Sequence, residues 1–121
     1  MKKILVVDDE DAQRKVIAAA LGQKGYEMYE ASDGFEGLEL ARLHKPDLII
    51  SDVYMGGMTG FVMVETLKED DQTANIPVLM MTSAAQSAGA WNTSLATDYI
   101  DKGFSIQELI QRVEQILKSP K

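Results

Sequence analysis

The sequence has no cysteine, a single histidine (His44), a single tryptophan (Trp91) and three prolines. Without cysteine there is no disulfide, no thiolate nucleophile and no thiolate-ligated zinc or iron–sulfur site. One histidine excludes a multi-histidine metal centre and any mechanism needing two imidazoles. Basic residues are also scarce: 12 Lys and Arg stand against 19 Asp and Glu, a formal net charge of −7. That balance opposes direct nucleic-acid binding, whose phosphates call for a basic surface, and it favours cationic partners, metal ions among them. Long hydrophobic runs are missing. Met1-Lys2-Lys3-Ile4-Leu5-Val6-Val7 opens like a secretory leader but is cut at Asp8-Asp9-Glu10-Asp11, short of the roughly 7–15 apolar residues a leader needs. Nothing approaches the ~18 of a membrane span. The expectation is a cytoplasmic protein with no membrane insertion.

What is present is ordinary globular composition: 121 residues, 45% hydrophobic and 26% charged, enough for one domain with one core. Short β-rich runs alternate with helical patterns. Strands are predicted at Lys3–Val7, Tyr26–Ala31, Leu48–Ile50, Pro77–Met81 and Thr97–Ile100, the second more polar and therefore nearer an edge. Helices are predicted over 11–24, with Val16, Ile17, Ala20 and Leu21 as a stripe and Gly25 as its stop, and over 34–44, with Phe35, Leu38 and Ala41 on one face. A third runs from Phe61 to Glu69 on Phe61, Val64 and Leu67. Residues 84–95 have little periodicity, and a short or irregular fourth helix is the reading there. The last helix carries the cleanest stripe, Ile106, Leu109, Ile110, Val113, Ile116 and Leu117, behind a Ser105/Glu108 capping box. Strict alternation predicts an α/β fold, (βα)5, with a parallel sheet and helices on both faces.

Open α/β sheets bind ligands beyond the carboxyl ends of their strands. In a 2-1-3-4-5 order, Asp8 and Asp9 after strand 1, Asp52 after strand 3, Thr82 and Ser83 after strand 4 and Lys102 after strand 5 converge on one pocket. Three carboxylates together call for a cation, and all-oxygen ligation points to a hard ion, Mg²⁺ or Mn²⁺. A threonine hydroxyl and a lysine ammonium beside them suit phosphoryl oxygens. The chemistry read from the residues is metal-assisted phosphoryl transfer in which a carboxylate can act as nucleophile.

These positions carry a resemblance. Val6-Val7-Asp8-Asp9-Glu10, Pro46-Asp47-Leu48-Ile49-Ile50-Ser51-Asp52, Met58-Thr59-Gly60, Pro77-Val78-Leu79-Met80-Met81-Thr82-Ser83-Ala84 and Asp98-Tyr99-Ile100-Asp101-Lys102, in this order, resemble a receiver domain of two-component response regulators, of the stand-alone chemotaxis type. The resemblance implies a flavodoxin-like doubly wound fold and a phosphorylation-switched protein that is not a conventional enzyme. It implies that Asp52 accepts a phosphoryl group from a histidine of a sensor kinase or histidine phosphotransfer protein. Asp9, Asp52 and the Tyr54 carbonyl then ligate Mg²⁺, Asp8 holds it through water, and Thr82 and Lys102 bind the phosphoryl oxygens. Thr82 and Tyr99 move inward together and change the face made by the fourth helix, fifth strand and fifth helix, where an unidentified downstream protein reads the state and where weak homodimerisation is an open alternative. Since only four residues follow Leu117, the expectation is a single receiver domain over 1–121 with no output domain.

The pattern departs from the family at several points. Lys102 is followed by Gly103 where the family has proline after a cis bond. A cis bond before another residue costs about 3–4 kcal/mol, so the expectation is a trans bond with a rearranged loop or a cis bond held by its surroundings. Gly56 replaces a proline, and Thr59 an aspartate whose capping role it can keep. Residues 82–99 are about two shorter than in the resembled family, with Leu95 in place of a glycine, which points to an unusual output surface. Bulky Tyr54 borders the path of attacking water and predicts slow dephosphorylation. The competing reading is a degenerate receiver that binds partners independently of phosphorylation. An aspartyl-phosphate phosphatase would want Asp-x-Asp-x-Thr/Val, which Asp9-Glu10-Asp11-Ala12 does not supply, and a flavin binder's phosphate loop is incompatible with Asp8-Asp9-Glu10-Asp11.

Overall fold

Ile4 to Val7 and Val78 to Met81 are apolar at every position and wholly buried, which requires cover on both faces of the sheet. The computed structural model describes residues 2–82 and 97–118. The elements are β1 (Lys3–Val7), α1 (Asp11–Gln23), β2 (Glu27–Ala31), α2 (Gly34–His44), β3 (Leu48–Asp52), α3 (Gly60–Glu69), β4 (Val78–Thr82), β5 (Asp98–Asp101) and α4 (Ile106–Lys118). All neighbouring strands pair in parallel, in the order β2-β1-β3-β4-β5. The more polar β2 is an edge strand, as its composition predicts. The predicted helix over 84–95, with Trp91 and Leu95, lies outside the described residues, as does Ser83.

Alternate strand residues feed two core layers. Leu5, Val7, Ile49, Val78 and Met80 pack with Leu38, Met63, Val64 and Leu67 of α2 and α3. Ile4, Val6, Ile50, Leu79 and Met81 pack with Ile17 and Leu21 of α1 and Leu109 and Val113 of α4. Helices therefore cover both faces. None of the described helices is long and apolar enough to cross a membrane.

Helix ends follow local chemistry. The Thr59 hydroxyl accepts from Val62 N at 3.2 Å and caps α3. Ser105 and Glu108 form the expected reciprocal box, at 3.1 and 2.9 Å, ahead of α4. Gly25 takes a φ of +98° just beyond α1, a left-handed turn that suits glycine. The helix stripes need three corrections, the first at Ile106, which opens α4 and is exposed while Leu109 and Val113 are buried. Val16 is exposed, because α1 turns Arg14, Ile17, Ala18 and Leu21 inward. Phe35 is also exposed, because α2 turns Gly34, Gly37, Leu38 and Ala41 inward, Gly37 lying against β1. A side chain on Gly37 would begin 3.0 Å from Val7, so backbone rather than an aromatic ring occupies that contact. His44 ends α2 and stacks on Tyr29, ring centroids 3.9 Å apart.

Candidate functional site

The strand register sets the carboxyl ends side by side. Val7 lies opposite Ser51, Asp52 opposite Met81 and Thr82 opposite Asp101. Asp8 continues β1, its N–H donating to Ala31 O at 3.1 Å, and Lys102 continues β5, donating to Thr82 O at 2.8 Å. Five of the predicted residues thus reach one end of the sheet. Asp8, Asp52 and Thr82 are buried, Asp9 is exposed and Lys102 lies between.

One carboxylate oxygen from each of Asp8, Asp9 and Asp52 falls within 4.8 Å of the others. Lys102 Nζ donates to Asp52 Oδ2 at 2.9 Å, while Asp52 Oδ1 is buried with no hydrogen-bond partner. A buried, unsatisfied carboxylate oxygen beside two more carboxylates is costly unless a cation or a covalent partner meets it. One ammonium does not neutralise three carboxylates. The donor set is all oxygen and fits a hard divalent ion. Burial pushes the Asp8 carboxyl up to about 6; the Glu10 N–H opposes this, Asp52 adds to it, Lys102 opposes it and Asp9 adds to it. Metal-free, the site resists holding all its charges.

Several supports were not legible in the residue pattern. Glu10 N donates to Asp8 Oδ1 at 2.9 Å, and Gln13, with its amide oriented to satisfy both ends, donates to Asp8 Oδ2 at 3.1 Å. Buried Arg14 donates to Asp8 O at 2.8 Å and pairs with Asp11 and Glu30 at 2.7 and 3.0 Å. A charged residue in α1 signals a solvated face until the fold shows the strand ends beneath it. Gly56 N donates to Asp9 Oδ2 at 3.1 Å, a bond the proline expected there could not make. Gly60 sits so close to β3 that a Cβ would lie 2.4 Å from Asp52 O.

The Lys102–Gly103 bond is trans, as no cis peptide occurs among the described residues. Tyr54 stands 52% exposed beyond Asp52. Tyr99 is already buried against the α2 and α3 layer, and Arg112 of α4 donates to its carbonyl at 2.5 Å.

The family model described as the response regulator receiver domain matches residues 4–114. The chain belongs to that family. Among curated relatives of this receiver, the DNA-binding dual master transcriptional regulator RpaA of Synechocystis is 36% identical over 98% of the chain, which spans 50% of RpaA. Protein PilH of Pseudomonas aeruginosa is 32% identical, with 97% of this chain and 98% of PilH covered. The crystal structure of chemotaxis response regulator CheY4 of Vibrio cholerae superposes with a TM-score of 0.89 at 33% identity, covering 96% of this chain and 98% of that one. The receiver spans about half the length of several curated relatives it matches, and nearly all of PilH.

Proposed function

We propose that this receiver is a working phosphorylation switch of a cytoplasmic two-component or phosphorelay system. Asp52 takes a phosphoryl group from a phosphohistidine of a sensor kinase or histidine phosphotransfer protein. The observation that carries the reading is the Asp52 carboxylate: one oxygen on Lys102 and the other buried without a partner, beside Asp8 and Asp9. Mg²⁺ would be held by Asp9, Asp52 and the Tyr54 carbonyl, with Asp8 acting through water. Bound there, it would supply charge neutralisation and a fixed geometry for phosphoryl oxygens.

The protein's own groups do the rest. Asp52 supplies the attacking oxygen, which bonds to phosphorus as the phosphorus–nitrogen bond to the donor imidazole breaks. Lys102, already on Asp52, keeps its charge near the developing phosphoryl oxygens, and Thr82 at the end of β4 offers a hydroxyl. Beside Lys102 a shallow depression is bordered by Glu10, Gln13, Val16, Phe104 and Ile106. Its exposed Val16 leaves room for a donor protein to approach this end of the sheet. Thr82 and Tyr99 would pass the change to the face of β5 and α4. The placement of Lys102 despite Gly103 supports a working receiver over a degenerate one.

Incubation with Mg²⁺ and a small acyl phosphate, followed by intact mass, tests this. A single phosphoryl adduct that needs Mg²⁺ and is absent from Asp52→Asn is expected. No adduct, with no binding of a beryllium fluoride phosphoryl mimic, would favour the phosphorylation-independent binding module instead. The adduct should also be long-lived, because Tyr54 crowds the approach of water. Tyr54→Asn is expected to shorten its half-life several-fold, and an unchanged half-life would count against that role.

A further inference from the structure

Lys102 has to cross two strand spacings, about 9.6 Å, because β4 separates β5 from β3. Its ammonium meets Asp52 only if the backbone at the end of β5 aims it there. That backbone is a four-residue turn, Asp101-Lys102-Gly103-Phe104. Phe104 N donates to Asp101 O at 2.9 Å and Lys102 N to Thr82 O at 2.8 Å. A third bond is made by a side chain: Gly103 N donates to Asp101 Oδ1 at 3.0 Å. An aspartate that accepts from the backbone two residues on forms an Asx turn, which fixes the intervening residue. The intervening residue here is Lys102.

The glycine is informative. Among the described residues the positive-φ glycines are Gly25 and Gly57, so Gly103 is not there for left-handed backbone. A Cβ on it would meet only Asp101 Oδ1, at 3.6 Å. What residue 103 supplies is an N–H, which a proline would lack. Asp101 is itself exposed and lies outside the Asp8, Asp9 and Asp52 cluster.

We infer that Asp101 is a positioning residue for Lys102: its carboxylate holds the Gly103 amide and thereby aims the lysine at Asp52. The inference deepens the proposed phosphoacceptor reading of this site and rests on it for its effect on phosphoryl transfer, but not for the geometry itself. The required property is a hydrogen-bond acceptor, not a charge. Asparagine, whose Oδ1 accepts in the same place, can therefore do the work, and alanine cannot.

The test compares the full chain with Asp101→Ala and Asp101→Asn in two measurements. The first is trace acetylation of the lysines without metal or phosphodonor, read by peptide mass with exposed Lys15 as internal reference. Lys102 is expected to react about threefold faster in Asp101→Ala and within twofold of the parent in Asp101→Asn, with Asp52→Asn showing the signal of a released lysine. The second is the rate of adduct formation from acyl phosphate and Mg²⁺, expected to fall about fivefold in Asp101→Ala and to be retained in Asp101→Asn. Equal Lys102 reactivity in all three proteins would overturn the inference, and so would an asparagine variant that behaves like alanine. If the parent forms no adduct while the acetylation pattern holds, the phosphoacceptor reading fails and the positioning role stands.

Discussion

A Gly60→Ala variant is expected to melt about 10 °C below the parent protein, a loss of about 3 kcal/mol. Gly60 opens α3 directly over the end of β3, and its N–H donates to Val53 O at 2.6 Å. A methyl there would start 2.4 Å from Asp52 O and 2.6 Å from Met80 Cε. The methionine methyl can swing aside, but the carbonyl is part of the sheet and cannot. Either α3 lifts off its layer or the end of β3 moves, and in the second case Asp52 moves with it. Thermal unfolding checks the first effect, and the rate of adduct formation on Asp52 checks the second. Gly56→Ala is the control, since a Cβ at Gly56 meets nothing within 4 Å; it should melt within about 2 °C of the parent. Equal melting of the two variants would show that the contact at Gly60 is soft.

The second large effect has the opposite sign. Without divalent metal at pH 7, Asp8→Asn is expected to stabilise the protein by about 1–3 kcal/mol. Asp8 is fully buried, and burial is the main cause that pushes its carboxyl up to about 6, from an ordinary value of 3.8. The folded chain therefore holds this proton more tightly than the unfolded chain. Below about pH 4 the group costs nothing, being protonated in both states. As the pH rises from 4 to 6 the unfolded chain ionises first, and stability falls; above pH 6 the full cost remains. Asparagine removes that cost. It still accepts from Glu10 N, although Gln13, which donates to Asp8 Oδ2 at 3.1 Å, has to turn its amide, and this sets the lower end of the range. Urea titrations with chelator between pH 4 and 7.5 should show the slope in the parent and its absence in the variant. Saturating Mg²⁺ should reverse the order, because the parent gains more from binding. Equal stability of the two proteins at pH 7 without metal would contradict the account.

The sheet and the strand-end residues were readable because they obey local rules. Short apolar runs rich in β-branched residues, such as Leu48-Ile49-Ile50 bounded by Pro46 and Asp52, fit buried strands better than helices, and residues directly after such strands lie at the carboxyl edge. That rule places Asp8, Asp9, Asp52, Thr82 and Lys102 without help from the resemblance. What could not be read depends on where the fold sets one element against another. Phe35 fits a helical stripe, but the stripe that packs is set by how closely Gly34 and Gly37 let α2 approach Met58 and Val7. Gln13 and Arg14 look like ordinary polar helix residues until α1 is laid beside Asp8. Gly103 signals a missing proline but not the partner of its N–H, and Asp101 carries no signal as a residue type, because their bond belongs to a turn whose shape follows from where β5 ends.

The alternation along β4 and β5 has a mechanical side. Thr82 has the parity of Met80 and Val78, so it projects from the same surface of the sheet as they do, and Tyr99, paired with Met80, shares that layer. Leu79, Met81 and Ile100 have the other parity and pack against α1 and α4. Under the proposed switch, a pull on Thr82 therefore enters the core from the α2 and α3 side and reaches the face of β5 and α4 through the sheet that both layers share. The proposed switch would thus have one point of entry, on the Thr82 side, and a separate surface on which its state is displayed.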